Sequence, residues 1–131
     1  MNDEQRYQAG LAVRRKVLSD VHVDRALANR TALTEEFQNF ITRYAWGEIW
    51  TREGLPRHTR SLLTIAMMVA TNRSEELALH LREAKNNGVS RDEIKEVLIQ
   101  TAIYCGVPAA NFAFHLAQKV FNAQDQEHQK A

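Results

Sequence analysis

Where the chain-breaking residues fall constrains this sequence more than any other feature. Only two prolines and five glycines occur in 131 residues. Gly54, Pro56, Gly88, Gly106 and Pro108 stand between segments of helical periodicity. Helices joined by short turns suit such scarcity, and no strand alternation or hairpin dipeptide competes with them. No self-similarity at a solenoid period is present. The expected fold is all-α, a single-domain helical bundle over residues 1–131, because this length buries one core and not two.

The first helix is expected over Asp3 to Leu18, with Leu11, Val13, Val17 and Leu18 among its apolar positions. A polar stretch, Ser19 to Asn29, has room for a short helix. Thr34 is a candidate cap for a helix through Phe37, Phe40, Ile41 and Tyr44. Trp46-Gly47-Glu48-Ile49-Trp50 reads as an aromatic segment broken by glycine. Pro56 suits the first turn of the next helix. That helix is apolar nearly all round from Leu62 to Ala70, the pattern of a central helix. Ser74 is a candidate cap for Glu75 to Asn87, and Gly88 falls where a left-handed C-terminal residue is wanted. Ser90 and Glu93 have capping-box spacing, ahead of a face carrying Ile94, Val97, Leu98, Thr101 and Cys105. The last helix, Pro108 to Phe121, combines close-packing alanines with space-filling phenylalanines, and the polar tail from Gln124 is expected to fray.

Formal net charge is +1, so no strong field draws in nucleic acid or an anionic membrane. Anion affinity has to come from individual arginines. The longest apolar stretch, Leu62 to Ala70, is far shorter than the roughly 20 residues that span a bilayer. Cys105 is the only cysteine, so an intrachain disulfide, a CxxC pair and a multi-cysteine zinc site are all excluded. No apolar signal core opens the chain. A soluble, cytoplasmic protein is expected.

Glu76 and His80 are four apart, so they share one face of the expected helix. A carboxylate beside an imidazole fixes its tautomer and raises its pKa, as a proton donor requires. By spacing alone, a solvated ion pair is the commoner outcome. No second histidine lies at ligand spacing, so a metal is not expected. Arg52, Arg60 and Arg73 lie near the ends of two successive helices. A guanidinium fork suits a carboxylate, although solvated charge explains any one of them as well. Trp46 and Trp50 can wall a pocket or pack a core. Cys105 has no basic neighbour in sequence and reads as a structural thiol.

Longer strings carry a resemblance. Tyr44-Ala45-Trp46-Gly47-Glu48-Ile49-Trp50-Thr51-Arg52, Arg60 through Met67 and Glu76-Leu77-Ala78-Leu79-His80 are similar to the carboxymuconolactone decarboxylase family. So are Asn86 through Ile94 and Tyr104 through Asn111. The resemblance covers roughly residues 10–121, leaving 122–131 as a polar tail. It implies an alkylhydroperoxidase D-like helical protomer assembled as a homo-oligomer, a hexamer by preference. It also implies decarboxylation of 4-carboxymuconolactone without metal or organic cofactor, in the protocatechuate branch of the β-ketoadipate pathway.

The peroxidase relatives carry Glu, then Cys-x-x-Cys-x-x-x-His. Aligned on His80, those positions here are Ser61, Arg73, Glu76 and His80. Both redox cysteines and the relay glutamate are replaced, leaving a charged cluster around the histidine. The expected site is therefore His80 and Glu76 as catalytic residues, with Arg73, Arg60, Ser61 and Trp46 binding substrate. His22, His115 and Tyr104 remain other candidates for the proton donor. Two rival readings are a diverged thiol peroxidase, opposed by the single cysteine, and a non-enzymatic helical interaction module, opposed by the absence of a basic stripe.

Overall fold

The computed structural model describes residues 1–130. All regular structure among them is helical, as the breaker pattern predicts. The chain resolves into two compact units, Met1–Arg57 and His58–Ala131.

The amino-terminal unit contains α1 (Asp3–Leu18), α2 (Asp20–Ala28), α3 (Glu35–Ile41) and a π-helical segment, Thr42–Ile49. A capping box starts α1: the Asn2 side chain accepts from Gln5 N at 2.8 Å, and Gln5 Oε1 accepts from Asn2 N at 3.0 Å. Val13, Val17, Leu18 and Val23 are buried. Two glycines let α1 and the π segment approach closely. A Cβ on Gly10 would overlap the Thr42 carbonyl oxygen, and one on Gly47 would overlap the Arg6 carbonyl oxygen.

Two expectations fail in this unit. Thr34 does not cap α3 through its side chain; its hydroxyl instead accepts from Thr31 N at 2.9 Å. The expected break at Gly47 is also absent, and helix continues through it in the wider π form. Trp50 N bonds the Ala45 carbonyl five residues back, at 3.2 Å. Hydroxyls of Thr42 and Thr51 donate to the Gln38 and Gly47 carbonyls at 2.7 and 2.8 Å. Such back-bonds compete for helix acceptors and favour irregular turns.

The carboxyl-terminal unit contains α4 (Arg57–Ala70), α5 (Ser74–Glu83), a 3-10 turn (Ala84–Asn87), α6 (Arg91–Tyr104) and α7 (Val107–Lys130). Its core gathers Ile65 and Val69 from α4, Leu77 and Leu81 from α5, Ile94 and Leu98 from α6, and Ala113 and Ala117 from α7. The alanines are buried, as close packing requires. Gly88 takes φ 75° and the Ser90–Glu93 capping box forms, both as expected.

Four readings are corrected here. The stretch beyond Glu83 tightens into 3-10 form, and Ser74 is the first residue of α5 rather than its cap, a position that Arg73 holds. On α4, Ser61, Ile65 and Val69 are buried while Leu63 and Met67 are 42% and 54% exposed, so the helix is not enclosed within this chain. Of the two phenylalanines expected to fill space, Phe121 packs against the core but Phe114 is exposed. The tail does not fray at Gln124, because α7 runs on to Lys130. Arg91 holds it with a fork on Asp125 at 2.9 and 3.3 Å, beneath which lies the Phe121 ring 4.5 Å away. Gln124 Nε2 adds a bond to the Arg82 carbonyl at 2.8 Å.

Candidate functional site

Five of the six expected site residues lie in the carboxyl-terminal unit. Arg60 and Ser61 are adjacent on α4. Ser61 is fully buried, and neither its Oγ nor the buried Nε of Arg60 has a hydrogen-bond partner among the described residues. Buried donors normally find acceptors, and leaving one unmade is costly. Two such groups side by side on one helix are a local exception.

Arg73 follows a tight turn. Asn72 adopts φ 58°, left-handed backbone that asparagine tolerates better than most residues. Arg73 N reaches back to the Met68 carbonyl at 3.0 Å. The turn sets Arg73 on the rim of a cavity of about 180 Å³ with Asn72, Ser74, Met68, Leu77 and Phe112. The cavity combines an exposed guanidinium, the positive end of α5 and an aromatic ring. Asn72 and Phe112 were not legible as site residues; only the fold brings Phe112 of α7 to this turn.

Glu76 and His80 lie on consecutive turns of α5. Leu77 and Leu81 are each 1% exposed. Their immediate predecessors Glu76 and His80 therefore sit about 100° round the helix, at the edge of the buried stripe. Glu76 is exposed and His80 half-buried. Trp46 belongs to the amino-terminal unit, where it is buried and stacked on Trp50 with ring centroids 5.2 Å apart.

One pair escaped the sequence. His58 Nε2 lies 2.7 Å from Glu93 Oε2, joining the first turns of α4 and α6. Glu93 also accepts from Ser90 N at 3.0 Å. That backbone bond, with the His58 contact behind it, holds the Glu93 carboxyl below the usual range. The capping-box spacing revealed half of this arrangement, but nothing in sequence ties residue 58 to residue 93. Cys105 is half-buried and borders an apolar cavity of about 380 Å³ with Leu62, Leu63, Ala66, Val97 and Tyr104. His115 is exposed on α7.

Comparison with known proteins decides the family. The profile of the carboxymuconolactone decarboxylase family matches residues 35–119. This chain belongs to that family. The match runs from α3 into α7 and so takes in residues of both compact units. A 4-carboxymuconolactone decarboxylase of Acinetobacter baylyi is 55% identical over 92% of this chain and 90% of its own length. A nitrosuccinic acid decarboxylase of Metarhizium robertsii is 42% identical over 88% of this chain and 81% of its own. A 4-carboxymuconolactone decarboxylase sequence from Pseudomonas putida matches over its whole length, 52% identical across 37% of this chain. No helix among the described residues is long and apolar enough to cross a membrane.

Proposed function

We propose that this chain is a carboxy-lyase that converts 4-carboxymuconolactone to the β-ketoadipate enol-lactone with release of CO2, in the protocatechuate branch of the β-ketoadipate pathway. The observation that carries this reading is the 55% identity to the Acinetobacter baylyi decarboxylase over nearly the full length of both chains. We further propose that residues 1–131 act as one family domain, in a cytoplasmic homo-oligomer.

The chemistry supplies its own electron sink. The γ-carbon of the substrate lactone bears a carboxylate and a CH2-carboxylate arm. Loss of CO2 leaves an electron pair on that carbon. The pair delocalises through the ring double bond onto the lactone carbonyl oxygen as a dienolate. Protonation at the α-carbon then gives the enol-lactone. No group beyond the substrate is needed to accept the electrons, and the reading includes no cofactor or metal.

The protein has to hold the arm, stabilise the developing oxyanion and deliver one proton. In this reading Arg73, exposed on its cavity rim at the start of α5, takes the CH2-carboxylate. The unpartnered Arg60 Nε and Ser61 Oγ are donors for a second carboxylate or the carbonyl oxygen. His80 delivers the proton, with Glu76 one turn away to orient it.

The Metarhizium robertsii relative supports a second reading, in which the substrate is nitrosuccinic acid. A nitro group beside the scissile carbon is likewise an internal electron sink. A spectrophotometric assay with freshly generated 4-carboxymuconolactone, run beside nitrosuccinate, separates the two. Turnover of the lactone at the higher kcat/KM is expected. Preference for nitrosuccinate replaces the first reading with the second, and turnover of neither defeats both.

A further inference from the structure

The carbon that loses CO2 in the proposed reaction carries its carboxylate beside a CH2-carboxylate arm. The reacting part of the lactone is therefore a succinate unit. Nitrosuccinate, the substrate of the second reading, contains the same unit with a nitro group as its sink. The two carboxylates of the unit have opposite needs. The arm keeps its charge and has to be held. The other loses its charge: its C–C bond breaks, the electron pair passes into the sink, and CO2 leaves neutral. A strong partner for that second charge would favour the ground state over the transition state, and holding both states alike gives affinity without rate. A site for this unit needs one cation and, within two carbons of it, a dry wall.

The cavity at the start of α5 has this polarity. Its volume of about 180 Å³ lies below the roughly 300–1,000 Å³ of sites for drug-sized ligands, so it suits a fragment of succinate size. Arg73 is the one charged residue among those that line it. Among the described residues no carboxylate pairs with Arg73, whereas Arg82 and Arg91 are engaged by Glu83 and Asp125. The polar lining comes from one stretch of chain, Asn72, Arg73 and Ser74. The rest is apolar: Met68 and Val69 of α4, Leu77 of α5, and Ala109 and Phe112 of α7. Val69 and Leu77 are 3% and 1% exposed and belong to the core, while Phe112 is 53% exposed. Phe112 is thus the large apolar lining group that the core does not require.

We propose that this cavity recognises the succinate unit, with Arg73 clamping the retained carboxylate and Phe112 forming the apolar wall against which the departing one sheds its charge. A guanidinium fork matches the two oxygens of the arm. Two carbons keep the other carboxylate in the same small cavity, where the ring offers its charge no hydrogen bond. The substrate class is a succinate whose CO2-losing carbon also bears a conjugated electron-withdrawing group. This inference rests on the decarboxylase reading, but its ligand does not have to react. Succinate itself has both carboxylates and no sink, so it binds without turnover.

Succinate binding to the full chain is measured by isothermal titration calorimetry for wild type, Arg73→Ala, Phe112→Gln and Phe112→Leu, with kcat on the lactone measured beside it. Arg73→Ala weakens succinate by about tenfold or more. Phe112→Gln brings an amide donor to the second carboxylate, so succinate binds about threefold or more tightly while kcat falls by about tenfold. A merely structural phenylalanine would not move binding and kcat in opposite senses. Phe112→Leu keeps the wall apolar and recovers most of the kcat lost in Phe112→Gln. The inference is overturned if wild type does not bind succinate, if Arg73→Ala binds it equally well, or if Phe112→Gln fails to tighten it. It is overturned too if Phe112→Gln keeps the wild-type kcat or Phe112→Leu behaves like Phe112→Gln. Failure of the decarboxylase reading looks different: neither lactone nor nitrosuccinate is turned over, while succinate binding still follows this pattern.

Discussion

An imidazole that hands a proton to a dienolate has to carry that proton when CO2 leaves. The reference pKa of histidine, near 6.5, puts this requirement at the edge of neutral pH. In the proposed mechanism, His80→Ala lowers kcat by about 10²–10⁴-fold, the range of a lost general acid. His80→Gln gives no rescue, since an amide hydrogen-bonds but supplies no proton. Activity of the wild type falls at high pH as the proton donor is deprotonated, and Glu76→Gln, which removes only the orienting residue, gives a smaller loss of kcat than His80→Ala. The measurement is kcat against pH for the three variants, with circular dichroism to verify helix content; an unchanged profile in His80→Gln removes the histidine from proton transfer. For Arg73, exposure on the cavity rim sets the scale. A charged hydrogen bond there is worth about 1.5 kcal/mol, the lower end of the usual range. Arg73→Ala is expected to lower kcat/KM by about tenfold, and Arg73→Lys to recover only part because the fork is lost. Wild-type kinetics in Arg73→Ala would move the anchor to Arg60.

Two packing features make predictions for whole helices. The contact of α1 with the π segment depends on Gly10, since a Cβ there meets the Thr42 backbone rather than a movable side chain. Gly10→Ala is therefore expected to destabilise by about 1–3 kcal/mol or more, the cost of overpacking a site that cannot give, despite the better helix propensity of alanine. A Tm equal to wild type would mean that this contact relaxes freely. In the carboxyl-terminal unit, carboxylates held in their charged form tie α6 to the start of α4, through Glu93 and His58, and to the end of α7, through Arg91 and Asp125. The Ser90 backbone bond and then His58 lower Glu93 from its ordinary 4.5, and the Arg91 fork lowers Asp125 from 3.8. A depressed folded pKa gives stability that is fully present above the unfolded value and is lost as pH falls through the folded one. Amide protection in the last turns of α7, taken relative to the unfolded-chain exchange rate at each pH, should hence fall only as pH drops below about 4 and Asp125 takes up its proton, and Arg91→Ala should produce the same loss of protection at neutral pH. Equal protection in Arg91→Ala would show that the Gln124 bond to the Arg82 carbonyl suffices alone.

At the scale of the molecule, the expected central helix, the end of α6 and the last helix leave apolar side chains uncovered. Met67 is 54% exposed, Phe112 53%, Val107 67% and Ile103 80%. Apolar surface of this kind marks sites of association. In the proposed homo-oligomer these residues are the first to be covered, so light scattering at enzymatic concentrations is expected to give a mass well above 15.0 kDa. A dilute monomer with full activity would contradict that.

Sequence by itself determined whatever depends on neighbours in the chain. The α1 limits, the Ser90–Glu93 box, the left-handed Gly88 and the shared face of Glu76 and His80 all follow from spacings of three or four residues or from glycine's backbone freedom. The family followed from long uninterrupted strings. Tertiary structure decided what depends on distant partners. Gly47 was read as a breaker because propensity sees only the local chain, yet its missing side chain is what admits α1. The tail was read as frayed because Gln124 and Asp125 look solvated until Arg91 and Arg82 reach them. His58 meets Glu93, and Phe112 joins Arg73, across 35 and 39 positions that no local pattern links. Arg14 looks like any helix-surface arginine in sequence. Its burial beside Gln38 and Thr42 is visible only when the helices are packed, because desolvation is a property of the surroundings rather than of the residue.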